Sequence, residues 1–347
     1  MTHVLHVLPH PGGGGETYVD LLGGIAGYTH ERAYLSGTRS PLLAGPGILA
    51  GLARAARTPA DIVHGHGDVA SVLGLAALAG RPLVISSHGL HMLRRVRPPV
   101  RGLFVAGLSR AIGRSTRTIC ESLAERDELA AVGPADRLVV IPNGIAPRRV
   151  GDRRLLRAEL GIDDDVVLGV FVGQLESRKE PLLAIEAAER ARAEGTPFVL
   201  AVAGDGPQSE EVRSHAGPAV RPLGFRTDLE DIFAAADIYV APSRREGVSY
   251  ALLEAMGSGL VPVVADGPGS PEVVGDAGIV VRAGDLAGFT LALRRLSGDA
   301  GLRGDLGRRA GRRVLDDYGL ERFLRDTRAA YDEALRAPGR GAGGGPA

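Results

Sequence analysis

The segment from Asp237 to Val281, DIYVAPSRREGVSYALLEAMGSGLVPVVADGPGSPEVVGDAGIVV, leaves few options other than a strand-helix-strand unit. Ile238-Tyr239-Val240-Ala241 is a short apolar run closed by Pro242, the pattern of a buried parallel strand, and the polar loop Ser243 to Gly247 follows it. Ser249 is placed to cap a helix built from Tyr250-Ala251-Leu252-Leu253-Glu254-Ala255-Met256, and Gly257-Ser258-Gly259 stops it. Leu260-Val261-Pro262-Val263-Val264-Ala265 is then a second buried strand.

In open parallel sheets, ligands collect where strands end and helices begin, because unpaired N–H groups and the helix dipole attract an anion there. Glu246, Gly247, Val248 and Ser249 occupy that place, and Gly247 lets the backbone come close to a phosphate. Glu246 and Glu254 stand eight residues apart, one on the loop and one about a turn into the helix, so both could face a ligand lying over the helix start. Two carboxylates near a phosphate repel it unless each accepts hydrogen bonds from hydroxyls, as sugars and riboses provide. The plainer alternative makes Glu254 a solvated helix residue and Glu246 a loop charge, and spacing alone leaves both open.

The run from Glu246 through Glu254 to Pro262-Val263-Val264 resembles the E-x7-E signature of retaining GT-B glycosyltransferases of family 4. The resemblance implies that Glu246 touches hydroxyls of a donor sugar and Glu254 holds a nucleotide ribose. It also sets the amides of Gly247, Val248 and Ser249 at the diphosphate.

At 347 residues the chain has room for two domains. Its 41 basic and 41 acidic residues balance, which removes the electrostatic case for nucleic acid. The single cysteine, Cys120, excludes an internal disulfide and a thiolate metal cluster. No stretch is apolar enough to span a membrane, and the N-terminus runs straight into a strand rather than a signal peptide, so the expected location is cytoplasmic.

Along the chain, His3 to Leu8 reads as a strand, followed by Pro11-Gly12-Gly13-Gly14-Gly15-Glu16-Thr17 and a helix through Tyr18, Leu21 and Leu22. The Gly-rich turn permits close backbone approach to a ligand, although it is not a strict G-x-G-x-x-G and a ligand-free loop is the alternative. By the resemblance, Gly14 and Gly15 lie near the donor diphosphate and the acceptor. Asp61 to Gly67 reads as a strand end and loop carrying His64 and His66, then a helix through Val72, Leu75 and Leu78. Two histidines without a third ligand favour lining residues over a metal site. Pro82 to Gly89 is a strand and turn resembling the family's His-Gly pair, which makes His88 the leading cleft residue of this half and His91 a weaker one.

Arg94, Arg95, Arg97 and Arg101 crowd a stretch broken by Pro98-Pro99. They read as solvated surface, with an acceptor or membrane-surface patch as the sharper alternative. Ser122 is placed to cap a helix after the strand at Arg117, and Pro142-Asn143-Gly144-Ile145 matches a mark of the family, with a polar linker from Pro147. Asp163-Asp164-Asp165 reads as a solvated turn rather than a metal site.

Val166 to Gly173 opens the second half. The family places an arginine where Gln174 stands and a lysine five residues later, both on donor phosphates. Lys179 fits the lysine, Gln174 departs from the pattern, and Arg178 is expected to compensate for a charge-assisted contact of about 1–3 kcal/mol. The turn Gly204-Asp205-Gly206-Pro207 and the loop Gly224-Phe225 also resemble the family, the latter beside the nucleotide base, and Pro268 to Val274 lies toward the sugar.

The expected architecture is α/β, a GT-B fold of two Rossmann-like, doubly wound domains facing across a cleft. The N-terminal acceptor domain spans 1–147, with a helix at about 320–336 packing back on it, and the donor domain spans 148–319. Residues 338–347 read as a disordered tail.

The expected activity is retaining transfer from a UDP-, GDP- or ADP-sugar to a glycan, lipid-linked or small-molecule acceptor. Neither cofactor nor metal is required, and some lipid-linked acceptors of the family would bring peripheral contact with the inner face of a membrane. Lys179, Glu246 and His88 are the candidate catalytic residues. Two other readings stay open: a non-catalytic nucleotide-sugar-binding protein, favoured by Gln174, and a nicotinamide-dependent oxidoreductase, for which Glu31 is a poor match to the required ribose-binding acid.

Overall fold

The computed structural model describes residues 1–12, 14–36, 45–74, 80–90, 92–146 and 151–337. Gly13, Leu75, Leu78, His91, residues 147–150 of the linker and the 338–347 tail lie outside the described residues. The chain divides into two compact units, Met1–Gly144 with the segment from Leu320 onward, and Ile145–Gly319.

Among the described residues, the first unit is a six-stranded parallel sheet. Its strands are β1 (Thr2–Leu8), β2 (Tyr28–Tyr34), β3 (Ile62–His66), β4 (Leu83–Ser86), β5 (Arg117–Cys120) and β6 (Leu138–Val140), in the order β2-β1-β3-β4-β5-β6. The helices α1 (Gly14–Leu22), α2 (Gly45–Arg57), α3 (Gly67–Gly74), α4 (Val100–Arg114) and α5 (Leu123–Ala130) connect them. One sheet face packs Val4, Ile62, Val84 and Ile119 against Tyr18 and Leu22 of α1 and against Phe323 and Tyr331. Those last two belong to the final helix, α14 (Leu320–Arg336). The other face sets Leu5, Val7 and Val63 against Ala55 of α2 and Ala70 of α3. Strands covered on both faces read as buried runs rather than alternations, here broken by the buried histidines of β1 and β3.

The second unit begins with α6 (Arg153–Leu160) and continues as β7 (Val167–Val172), α7 (Pro181–Ala193), β8 (Phe198–Ala203), α8 (Ser209–His215), β9 (Val220–Gly224) and α9 (Leu229–Ala235). Then come β10 (Ile238–Ala241), α10 (Tyr250–Gly257), β11 (Val261–Ala265), α11 (Ser270–Val274), β12 (Ile279–Val281), α12 (Leu286–Gly298) and α13 (Ala300–Asp317). The sheet order is β12-β11-β10-β7-β8-β9, so the winding reverses between β7 and β10. In the first unit the reversal falls between β1 and β3. Loops leaving the carboxyl ends of strands on either side of such a reversal diverge and leave a crevice for ligands.

Two local expectations change, and the weak match at Glu31 stays weak. His64 and His66 lie inside β3, fully buried, rather than in a loop, because in-register pairing with β4 carries the strand through His66, opposite Ser86. Ser249 holds the N-cap position of α10 but makes no side-chain cap, whereas Ser122 caps α5 by accepting the Glu125 N–H at 3.2 Å. Glu31 lies within β2, three residues short of its end, and pairs with His3 at 3.3 Å, so it is not poised beyond the strand as a ribose ligand would be. Asp163, Asp164 and Asp165 form an exposed turn.

Candidate active site

The β7–β10 reversal fixes the second unit's site. The chain leaving β7 turns through a short 3₁₀ segment at Ser177–Lys179, and the chain leaving β10 carries Glu246. These two loops bring the Lys179 ammonium onto the Glu246 carboxylate as an ion pair with side chains only 13% and 14% exposed. Arg178 stands 4.0 Å from the same carboxylate while its Nε pairs with Glu176 at 2.6 Å. Burial alone would raise the Glu246 carboxyl, but the charges of Lys179 and Arg178, with hydrogen bonds from Lys179 and Ser243, outweigh it and hold the group below the usual carboxylate range.

Lys179, Glu246, Tyr239, Ser249 and Ser270 line a space of about 10 Å³, room for about one water. Tyr239 is the residue that sequence reasoning treated only as strand. Its buried phenol is pushed upward by burial and by the charges of Glu246 and Glu254, so both carboxylates of the eight-residue spacing act on one buried group. The Tyr239 hydroxyl donates to the Val172 carbonyl at 3.5 Å, and Ser249 makes no side-chain cap on α10. The amide end of α10 therefore carries no side-chain cap, the condition under which a helix start can receive an anion. Gly247 sits where the loop is braced: the Gly269 N–H donates to the Glu246 carbonyl at 3.1 Å, and a Cβ on Gly269 would lie 2.5 Å from the Gly247 carbonyl carbon. Val248 is buried beneath the loop, in the core that also holds Leu252.

Gly204, after β8, is dictated by packing, since a Cβ there would fall 1.8 Å from the Gly173 carbonyl oxygen. This close approach draws the ends of β7 and β8 together beside Gln174, which is exposed. Phe225 follows the edge strand β9 and is 74% exposed, an aromatic face open to solvent. Phe225 thus stands apart from the Lys179–Glu246 pair, with β8 between its strand and β7.

In the first unit, Gly14 and Gly15 open α1 beyond β1, with Gly15 against Leu8. Glu16 closes this turn on itself by accepting the Gly12 N–H at 2.7 Å and the Tyr34 hydroxyl. His88 lies in the left-handed region with φ 49° and packs edge-on to Tyr18 at 4.8 Å. Both of its ring nitrogens are engaged, Nδ1 with Glu121 at 2.7 Å and Nε2 with His66 Nδ1 at 2.8 Å. Behind it the contacts continue, His66 Nε2 to His6 Nδ1 at 2.8 Å and His6 Nε2 to His30 Nδ1 at 2.8 Å.

Sequence reasoning missed His6, His30 and Glu121. The available signal was the two-residue spacing of His64 and His66 on a strand, which puts both on one face. His6, His64 and His66 offer ligand atoms within 4.8 Å of one another. They do not fit a metal as they stand, because nitrogens of one tetrahedral zinc site lie about 3.3 Å apart, and His6 Nδ1 and His66 Nε2 are at 2.8 Å. The two nitrogens of His64 are held by Tyr331 at 2.7 Å and Ser86 at 2.8 Å.

A family model described as Glycosyltransferase Family 4 matches residues 2–149, and one described as Glycosyl transferases group 1 matches residues 167–299. Over 310 residues the chain is 28% identical to the D-inositol 3-phosphate glycosyltransferase of Streptomyces bingchenggensis, covering 80% of this chain and 67% of that one. Over 251 residues it is 30% identical to the alpha-maltose-1-phosphate synthase of Mycobacterium tuberculosis, covering 64% and 63%. The chain spans about two thirds of the length of these relatives. Among solved structures, Anabaena Alr3699/HepE in complex with UDP matches with a TM-score of 0.80 at 18% identity, over 96% of this chain and 100% of that one. A glycosyltransferase from Rickettsia africae ESF-5 matches with a TM-score of 0.79 at 15% identity, over 97% and 99%. At such identities the likeness is one of fold, and the fold is GT-B.

Proposed function

This chain belongs to the family 4, group 1 glycosyltransferases, and from that premise we propose that it moves a sugar from a nucleotide-sugar donor to an acceptor hydroxyl with retention at the anomeric carbon. The observation that carries this reading is the Lys179–Glu246 pair at the β7–β10 reversal, beside a helix start without a side-chain cap. A donor diphosphate takes the Lys179 ammonium and the amides of Gly247 to Ser249, and the charge that builds on it as the glycosidic bond breaks is stabilised there. Glu246, released from Lys179, accepts hydrogen bonds from sugar hydroxyls, and Glu254 accepts them from the ribose. Attack from the leaving-group face needs no carboxylate nucleophile. Phe225 offers its exposed ring to the base, and Arg178 supplies the cation that Gln174 lacks.

UDP is the favoured donor nucleotide because the Anabaena HepE structure, similar in fold, is a complex with UDP. Thermal shift against UDP-, GDP- and ADP-sugars tests the nucleotide, since a ligand at a hundred times its Kd stabilises by about 2.7 kcal/mol. Donor turnover by wild type and Lys179→Ala, with the product anomer read by NMR, tests the chemistry. A Lys179→Ala enzyme at wild-type rate, or an inverted product, overturns it.

A second reading, nucleotide-sugar binding without transfer, is favoured by the exposed Gln174. Donor binding with neither hydrolysis nor transfer would select it. The exposed Val100 and Leu103 of α4, beside exposed Arg95 and Arg97, support docking on an anionic bilayer during transfer to a lipid-borne acceptor. Co-sedimentation with phosphatidylglycerol vesicles, lost in Leu103→Glu, is the expected result. Among the described residues no helix is long and apolar enough to cross a membrane.

A further inference from the structure

The first unit contains an unbroken line of ring contacts that the donor chemistry does not use: Glu121, His88, His66, His6 and His30, joined by distances of 2.7, 2.8, 2.8 and 2.8 Å. Parallel register produces it. His6 of β1 pairs with His64 of β3, and His30 of β2 pairs with Val4, so His6, His30, His64 and His66 share the face covered by α1 and α14.

Proton counting orders the line. Each nitrogen-to-nitrogen contact needs one proton, and a neutral imidazole has one to give. The Glu121 carboxylate accepts, so His88 carries its proton on Nδ1. His88 Nε2 is then a bare acceptor, which requires the proton of His66 on Nδ1. The same step fixes His6 and His30 as Nδ1–H. The line ends at a bare His30 Nε2, a buried atom without a hydrogen-bond partner.

We propose that Glu121, acting through His88, orders His66, His6 and His30 into a one-directional hydrogen-bonded relay in which each ring carries its proton on Nδ1 and His30 Nε2 is left as the one open acceptor. A proton arriving at His30 Nε2 moves each Nδ1 proton one place along. It leaves the rings as Nε2–H and Glu121 as the acid, with one proton gained and no other bond changed. The surrounding charges favour the resting direction, because Arg32 and His3 lie by the His30 end and Glu121 closes the other. Tyr18, from α1, adds only a neutral phenol beside the line. Burial holds His6 and His66 well below the ordinary histidine value, and it lowers His30 with help from Arg32 and His3, which keeps these rings neutral.

His64 supplies an internal control. Ser86 donates to the Tyr18 hydroxyl at 3.1 Å, so its oxygen accepts from His64 Nε2–H, and the Tyr331 hydroxyl donates to Nδ1. His64 is therefore the opposite tautomer from its neighbours.

The test is a long-range proton–nitrogen correlation spectrum of the full chain, ¹⁵N-labelled at histidine, at neutral pH. His88, His66, His6 and His30 are expected with protonated Nδ1 and bare Nε2, and His64 with the reverse. His6→Leu removes the acceptor of His30 Nδ1–H and is expected to turn His30 into a tautomer mixture, while Glu121 keeps His88 and His66 protonated on Nδ1. His6→Gln, whose carbonyl can accept from His30 Nδ1–H and whose amide can donate to His66 Nε2, is expected to restore the single tautomer at His30. The relay is overturned if wild-type His88 is protonated on Nε2, or if His6→Leu leaves the His30 pattern unchanged. One equivalent of zinc bound by the full chain and lost in His6→Gln would also overturn it. Should His6→Leu fail to fold, the wild-type spectrum and His6→Gln still decide.

Discussion

Replacing Lys179 by alanine is expected to destabilise the second unit by an amount that grows with pH. The Glu246 side chain is 14% exposed, and without the ammonium its remaining partners are Arg178 at 4.0 Å and the Ser243 hydroxyl. Breaking a buried pair by removing one partner costs about 3–5 kcal/mol, and the residual exposure and Arg178 reduce that to roughly 2–3 kcal/mol here. In the wild type the folded carboxyl is held below its usual range, so its contribution is present above about pH 4.3 and is lost as pH falls through the folded value. In Lys179→Ala burial becomes the dominant influence and the carboxyl rises. The deficit relative to wild type is then full near pH 8 and shrinks as the group protonates toward pH 4.5. Lys179→Ala/Glu246→Gln removes the stranded charge and should recover all but about 1 kcal/mol, because a missing pair costs less than a half-missing one. Urea unfolding of the wild type, both single variants and the double variant between pH 4.5 and 8 completes the cycle. A deficit that does not change with pH, or a double variant no more stable than Lys179→Ala, would refute the reasoning.

Gly204→Ala places a methyl 1.8 Å from the Gly173 carbonyl oxygen, and a loss of more than about 3 kcal/mol is expected on calorimetry. Gly298→Ala, in α12 with open space around it, should be neutral or slightly stabilising. Phe225→Ala, at a ring 74% exposed, should leave stability within about 0.5 kcal/mol while weakening nucleotide binding in titration calorimetry by about 1–3 kcal/mol of stacking. Burial, with the charge of Glu121, pushes the Glu125 carboxyl up to about 7. Its folded value is above the unfolded one, so stability from this group is full below about pH 4.3 and falls as pH rises toward 7. Glu125→Gln should flatten that slope in pH-dependent unfolding.

What could be read from the chain and what could not divide along physical lines. Strand-helix-strand punctuation is local, so β10, α10 and β11 follow from an apolar run, a serine and a Gly-Ser-Gly stop, with boundaries close to those observed. Ser122 as a cap is equally local. At Ser249 the same rule places the residue but not its hydroxyl, which makes no cap bond to α10. Lys179 and Glu246 could each be singled out from a motif. Their pairing could not, since 67 residues separate them and only the adjacency of β7 to β10 joins the two loops.

The histidine line is the extreme case. Its members come from β1, β2, β3 and the turns after β4 and β5, and no window of sequence contains more than two of the rings. Alternation along β3 places His64 and His66 on one face. That His6 and His30 meet them there depends on the register of three parallel strands, a long-range property that a one-residue slip would reverse by turning His6 to the opposite face. The relay and the apolar packing therefore share one register: a one-residue slip of β1 against β3 takes His6 from His66 and Val4 from Ile62 together.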